Sequence, residues 1–76
     1  MTQNEMILDH LKTYGKITPL SALEHYGCMR LSARIADLRE QGLTDGFTID
    51  TNMVSAKNRF GTTVTFAEYI YKENEK

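Results

Sequence analysis

Three arginines, Arg30, Arg34 and Arg39, lie in a stretch where Leu31, Ile35 and Leu38 recur at i, i+4 and i+7. That spacing predicts a helix with one apolar face, leaving the arginines on its polar flanks. A guanidinium presents a planar fork of donors, suited to a phosphate, a carboxylate or the O6 and N7 edge of guanine. Arg30 and Arg34 share a stripe with Asp37, beside Ser32 and Ala33, which are small enough to let a surface come close. A second cationic group, Lys57-Asn58-Arg59, falls in the polar break Ser55 to Gly61, and two cations with an amide suit phosphates or a minor groove. Each group has a plainer reading. Arg34 can pair with Asp37 at i, i+3, the Lys57 loop can be polar for solubility alone, and Arg39 can pack along the helix end as scaffolding or reach a phosphate backbone at best.

Other chemistry is missing from the pattern. There is no nucleophile–base pair, glycine-rich phosphate loop or carboxylate cluster with metal spacing, so neither an enzyme, a metal site nor a cofactor is expected. The single cysteine, Cys28, reads as a small buried apolar residue beside a turn. His10 and His25 read as partly exposed surface side chains, and Tyr14, Tyr26, Tyr69 and Tyr71 as aromatics at the rim of the core, the last two able to form a dimer edge.

The elements that must carry these groups are short. Seventy-six residues, 41% apolar and 25% charged, predict one globular domain over 1–76 with a limited core that partner binding or dimerisation would support. No apolar run approaches the ~20 residues that span a bilayer. The opening MTQNEMILDH lacks a basic leader region, so cytoplasmic residence is the expectation. A net charge of −1 argues against indiscriminate nucleic-acid binding, so any basic face has to arise from three-dimensional segregation.

Thr2 followed by Glu5 reads as a capping box, and Met6, Ile7, Leu8, Leu11 and Tyr14 predict a helix over about 3–14 that ends at Gly15. Lys16-Ile17 is too short to stand as a strand, although it could pair with the edge of a later hairpin. Thr18-Pro19 starts a second helix over about 19–26, stopped by Gly27. The third is placed at about 29–41 with Gly42 as its cap. From Phe47 the period becomes two, predicting a two-stranded wing over about 47–71 with a bulge or strand end where β alternation shifts to Ala67, Tyr69 and Tyr71. Residues 72–76 read as a polar tail. The predicted core is Ile7, Leu8, Leu11, Leu20, Leu23, Leu31, Ile35, Leu38, Phe47, Ile49, Val64 and Phe66.

Three helices followed by a hairpin form the winged helix-turn-helix arrangement, mainly α with a C-terminal β-hairpin. In it the exposed stripe of the third helix is free to enter a major groove. ITPLSALEHYGCMRLSARIADLREQG also resembles the helix-turn-helix domains of small phage and prophage proteins. The resemblance rests on Thr18-Pro19, on Gly27-Cys28, on the R-L-x-A-R-I-x-D-L-R pattern from Arg30 to Arg39, and on the AKNRFG loop at Ala56 to Gly61 before AEYIY. It covers roughly residues 5–71 and departs at GLTDGFTID, which is longer than the usual Gly-aromatic-x-Ile step. It implies a double-stranded DNA partner and a small transcriptional or architectural regulator of phage origin. Arg30, Ser32, Ala33 and Arg34 are the groove candidates, and Lys57, Asn58 and Arg59 the wing contacts. The near-neutral charge keeps open an alternative, a winged-helix module that binds or inhibits a host protein. A homodimer is compatible with either.

Overall fold

A computed structural model describes residues 1–74. Three helices, α1 (Gln3–Tyr14), α2 (Pro19–Tyr26) and α3 (Leu31–Asp45), precede a long hairpin of β2 (Phe47–Lys57) and β3 (Thr63–Glu73). Local chemistry sets the first two helices. The Thr2 hydroxyl accepts from the Glu5 amide at 3.1 Å while the Glu5 carboxylate accepts from the Thr2 amide at 3.1 Å, closing the capping box. The Thr18 hydroxyl accepts from the Ser21 amide at 3.2 Å, and Pro19 occupies the first turn, where a missing N–H costs nothing.

The third helix departs from expectation at both ends. Arg30 is its N-cap, with a backbone that is neither helical nor extended (φ −124°, ψ 58°) and no side-chain capping bond, so Met29 and Arg30 lie outside the helix. Its far end runs past Gly42 to Asp45, and Gly46 is the residue that turns out, at φ 82°. Gly42 is buried inside the helix because the Phe47 carbonyl and ring lie against it, where a side chain would stand. The supposed long link is therefore an extra helical turn. Gly46-Phe47-Thr48-Ile49 then supplies the short glycine–aromatic step into the wing.

The wing is also larger than predicted. Lys16–Ile17 forms β1, which pairs antiparallel with β3 (Lys16 opposite Ile70, Ile17 opposite Tyr69), giving a three-stranded sheet of order β1-β3-β2. β2 and β3 pair without a bulge from Phe47 opposite Glu73 to Lys57 opposite Thr63. Lys57 is thus a strand residue, and the loop is only Asn58 to Thr62. Lys72 and Glu73 belong to β3, and the Asn74 amide donates to the Gly46 carbonyl at 2.9 Å, so these are not tail. Glu75 and Lys76 of the predicted tail lie outside the described residues.

Burial explains the apparent change of phase in β3. Its core-side residues are Ala67, Tyr69 and Tyr71, whereas Val64 and Phe66 pair across to Ala56 and Val54 on the opposite face. The last buried pair position is Thr51 opposite Tyr69. Six further pairs run out beyond the helices, about 20 Å of ribbon at ~3.3 Å per residue. Val64 and Phe66 are accordingly exposed and not core, as are Leu20 (64%) and Leu23 (47%) of α2. α2 seats instead through Ala22, whose small side chain brings the helix backbone close to the body. The buried set is Ile7, Leu11, Ile17, Ala22, Cys28, Leu31, Ile35, Leu38, Phe47, Ile49 and Tyr69, with Leu8 packed at its edge.

His10 belongs to this interior rather than to the surface, while His25 is exposed. Its Nδ1 stands 2.7 Å from the Tyr26 hydroxyl, and the two rings meet edge to face at 5.5 Å. Burial, reinforced by nearby His25 and opposed by Asp9, holds the imidazole below its ordinary value of 6.5. The unfolded chain therefore takes up this proton first, so the His10 contribution is complete above about pH 6.5 and is lost as pH falls below it. Thermal melts should show a midpoint that drops between about pH 7 and 5, with a shallower drop in His10→Gln. Parallel profiles for the two proteins would contradict this origin.

Candidate nucleic-acid interface

α3 turns Leu31, Ile35, Leu38 and Gly42 inward. One flank faces α1. There the Arg34 Nη2 pairs with Asp37 Oδ2 at 3.4 Å, and the same carboxylate oxygen accepts from Asn4 Nδ2 of α1 at 3.4 Å. The i, i+3 pair offered by the sequence is thus formed. Arg34 is only half-exposed, and its Nε is buried without an acceptor among the described residues. Its guanidinium is held at the seam between α1 and α3.

The other flank faces the wing. Arg39 donates from Nε to the Ile49 carbonyl at 3.0 Å and from Nη2 to the Thr51 hydroxyl at 2.6 Å. Its guanidinium carbon lies 5.9 Å from the Tyr69 ring centroid. Arg39 is therefore a clamp between α3 and the root of the wing, not a residue presented to a phosphate backbone. Because β2 is the outer strand of the sheet, the clamp also occupies an edge carbonyl that would otherwise invite another strand. Sequence spacing offers packing at the helix end but not these partners, since Ile49 and Thr51 reach Arg39 only after the chain reverses at Gly46. Arg39→Ala should lose about 1–3 kcal/mol in urea unfolding, while Arg39→Lys, which lacks the fork, should recover only part of it.

Between these flanks the exposed face of α3 divides along its length. Its first turns and the residues before them present Met29, Arg30, Ser32 and Ala36, with Ala33 half-buried beside them. Among the described residues Arg30 has no ion-pair partner. Small side chains beside a free guanidinium leave room for a ridged polyanion to approach. The later turns present Glu40, Leu43, Thr44 and Asp45, which are acidic and apolar.

The wing tip forms the second group. Asn58 builds it: its side-chain carbonyl accepts from the Phe60 amide at 2.9 Å and the Thr62 amide at 3.1 Å, while its backbone carbonyl accepts from Gly61 at 3.0 Å. The Asn58 oxygen is therefore engaged within the turn, leaving its amide N–H groups outward. Lys57 and Arg59 flank it, both exposed. From Asn52 to Ala67 the projecting ribbon carries two cations, Lys57 and Arg59, and no acid. The fold brings Arg30, Ser32 and Ala33 together at one end of α3 and Lys57, Asn58 and Arg59 together at the tip.

Two other cations of the domain body are committed. Lys16 pairs with Glu68 at 3.6 Å across the β1–β3 boundary, and Lys72 pairs with Asp50 at 2.9 Å. The Asp50 hydrogen bond and charge raise the Lys72 pKa. The Thr18 hydroxyl is engaged in capping α2.

Among the described residues no helix is long and apolar enough to cross a membrane, and no group of three or more His, Cys, Asp or Glu side chains is placed to hold a metal. Comparison with curated proteins and with solved structures finds no match. A family model described as a winged helix-turn-helix domain matches residues 2–73, which takes in every element of the fold. The three helices, the antiparallel wing and this match together place the chain in the winged helix-turn-helix domain family.

Proposed function

We propose that the protein is a double-stranded DNA-binding module of phage or prophage origin, serving as a small transcriptional or architectural regulator. Membership of the winged helix-turn-helix family points to DNA binding in general. The observation that carries the finer reading is the acid-free ribbon from Asn52 to Ala67 with Lys57 and Arg59 at its tip. A rigid cationic arm about 20 Å long is suited to following a phosphate backbone away from a helix seated in the groove. In this arrangement the Arg30 end of α3 enters the major groove. Arg30 reads a base edge or anchors a phosphate, Ser32 and Ala33 permit close approach, and Asn58 with its neighbouring cations meets the backbone or minor groove. Arg34 acts from the seam, keeping α3 set against α1 and extending its free edge toward the same groove.

Fluorescence anisotropy with duplexes selected from a random pool tests the assignment. Arg30→Ala should weaken the preferred site about 5- to 150-fold, the equivalent of ~1–3 kcal/mol, and affect unselected duplexes less. Lys57→Ala combined with Arg59→Ala should weaken all duplexes alike and reduce the salt slope by roughly 2, near 0.9 for each lost phosphate contact. Absence of binding at low salt to both random and genomic duplexes would exclude DNA as the ligand.

One observation favours the alternative of a host protein partner: Leu43 on α3 and Phe60 on the wing are both bare to solvent. Capture of a partner from nuclease-treated host lysate, with no DNA binding, would support it.

A further inference from the structure

Two features of the surface have no use in binding a phosphate backbone. Leu43 is 86% exposed at the end of α3, one turn from Glu40 and next but one to Asp45. Phe60 is 84% exposed at the wing tip, adjoining Arg59. An acidic, apolar helix end would repel DNA, and a phenyl ring gains nothing from a phosphate. The two patches are complementary to each other. One offers carboxylates around a leucine, the other cations around a phenylalanine.

We propose that the wing tip of one copy docks on the C-terminal end of α3 of a second copy. Phe60 packs on Leu43, and Arg59 and Lys57 face Glu40 and Asp45. Within one chain the two patches are separated by the ribbon that runs out from the body, so the complementarity is satisfied between chains. Asp37 contributes less, because Arg34 and Asn4 already engage it, and at Asp45 one oxygen accepts from Gln41 Nε2 at 2.9 Å, so Glu40 and the other Asp45 oxygen carry the contact. Arg39, the cation adjacent to Glu40 in sequence, is turned to the wing root and does not neutralise the patch.

Such a contact joins different surfaces of the two copies. It is heterologous, so it repeats head to tail instead of closing a two-fold dimer. Each copy keeps one free tip and one free helix end. Lys57 and Arg59 are also the cations that the DNA reading sets on the phosphate backbone, so a wing tip seated on a second copy is withdrawn from that backbone. The proposal does not rest on DNA binding and is tested without DNA.

Leu43→Asp and Phe60→Asp each break one half of the contact at an exposed position. Neither variant should associate with itself. Mixed, the intact tip of Leu43→Asp meets the intact helix end of Phe60→Asp, and the pair forms one contact that cannot extend. Labelled Phe60→Asp protein, titrated to about millimolar with unlabelled Leu43→Asp, should show amide shift changes confined to Glu40 to Gly46 and weakening at least severalfold from about 50 to about 500 mM NaCl. Titration with unlabelled Phe60→Asp should leave the spectrum unchanged, and the dispersion of each variant alone reports its fold. The proposal is overturned if the mixture gives no shifts, or if either variant self-associates as the native chain does. It is equally overturned by changes along the β2 edge from Met53 to Lys57, which would mean strand pairing between sheets, or by a contact that only a host protein supplies.

Discussion

Gly42→Ala is expected to destabilise the protein by at least about 2 kcal/mol. Helix propensity argues the other way, since alanine inside a helix is favoured over glycine by ~1 kcal/mol. The tertiary structure reverses the sign. A Cβ on Gly42 would overlap the Phe47 carbonyl and approach the Phe47 ring carbons to 3.1 Å. A backbone oxygen cannot rotate aside, so α3 and the start of β2 would have to separate. Phe47 is buried and stacks 5.3 Å from the Tyr71 ring, so the displacement would spread across the root of the wing. Chains of this length have roughly 4–11 kcal/mol of stability in all, and the loss should show as a clear fall in the urea midpoint. A midpoint raised in Gly42→Ala would mean that the joint relaxes freely and that propensity decides.

Ile35→Ala is expected to cost about 2–5 kcal/mol, whereas Leu20→Ala should change stability by less than about 0.5 kcal/mol. Both are branched apolar residues at helical spacing and read alike in the sequence. Ile35 is 1% exposed in the core cluster, on the buried face of α3, the helix that packs against α1 and β2. Removing its side chain leaves a cavity in the packed core. Leu20 is 64% exposed in the first turn of α2, so truncation removes surface already in water. Paired urea titrations measure the difference directly. Equal losses would mean that α2 buries its leucines in solution and that Ala22 is not its seat.

Much of the local architecture can be read from short-range signals. Thr2 with Glu5 and Thr18 with Pro19 are complete capping devices whose partners lie within three residues, so they operate wherever the chain goes. The period of two from Phe47 likewise marks strands regardless of what packs on them. From these the order of three helices and a hairpin follows, and with it the winged helix-turn-helix class. Arg30 and the Lys57-Asn58-Arg59 group are visible for the same reason, as runs of chemistry on predicted elements.

Choices between equivalent local signals needed the whole fold. Gly42 and Gly46 both offer a helix stop, and only the approach of Phe47 to Gly42 makes the second the terminator. The phase of β3 depends on how far the ribbon outruns the helices, which turned Val64 and Phe66 from core residues into exposed ones. The arginines separate most sharply. Spacing set Arg30 and Arg34 on one stripe with Arg39 apart, yet Arg34 faces Asp37 and α1, Arg39 clamps Ile49 and Thr51, and Arg30 remains without an ion-pair partner among the described residues. By itself the sequence determined which elements form, because capping and periodicity act over a turn or two of chain. Only the tertiary structure decided which side of each element meets water, because that depends on contacts between residues that the sequence holds apart.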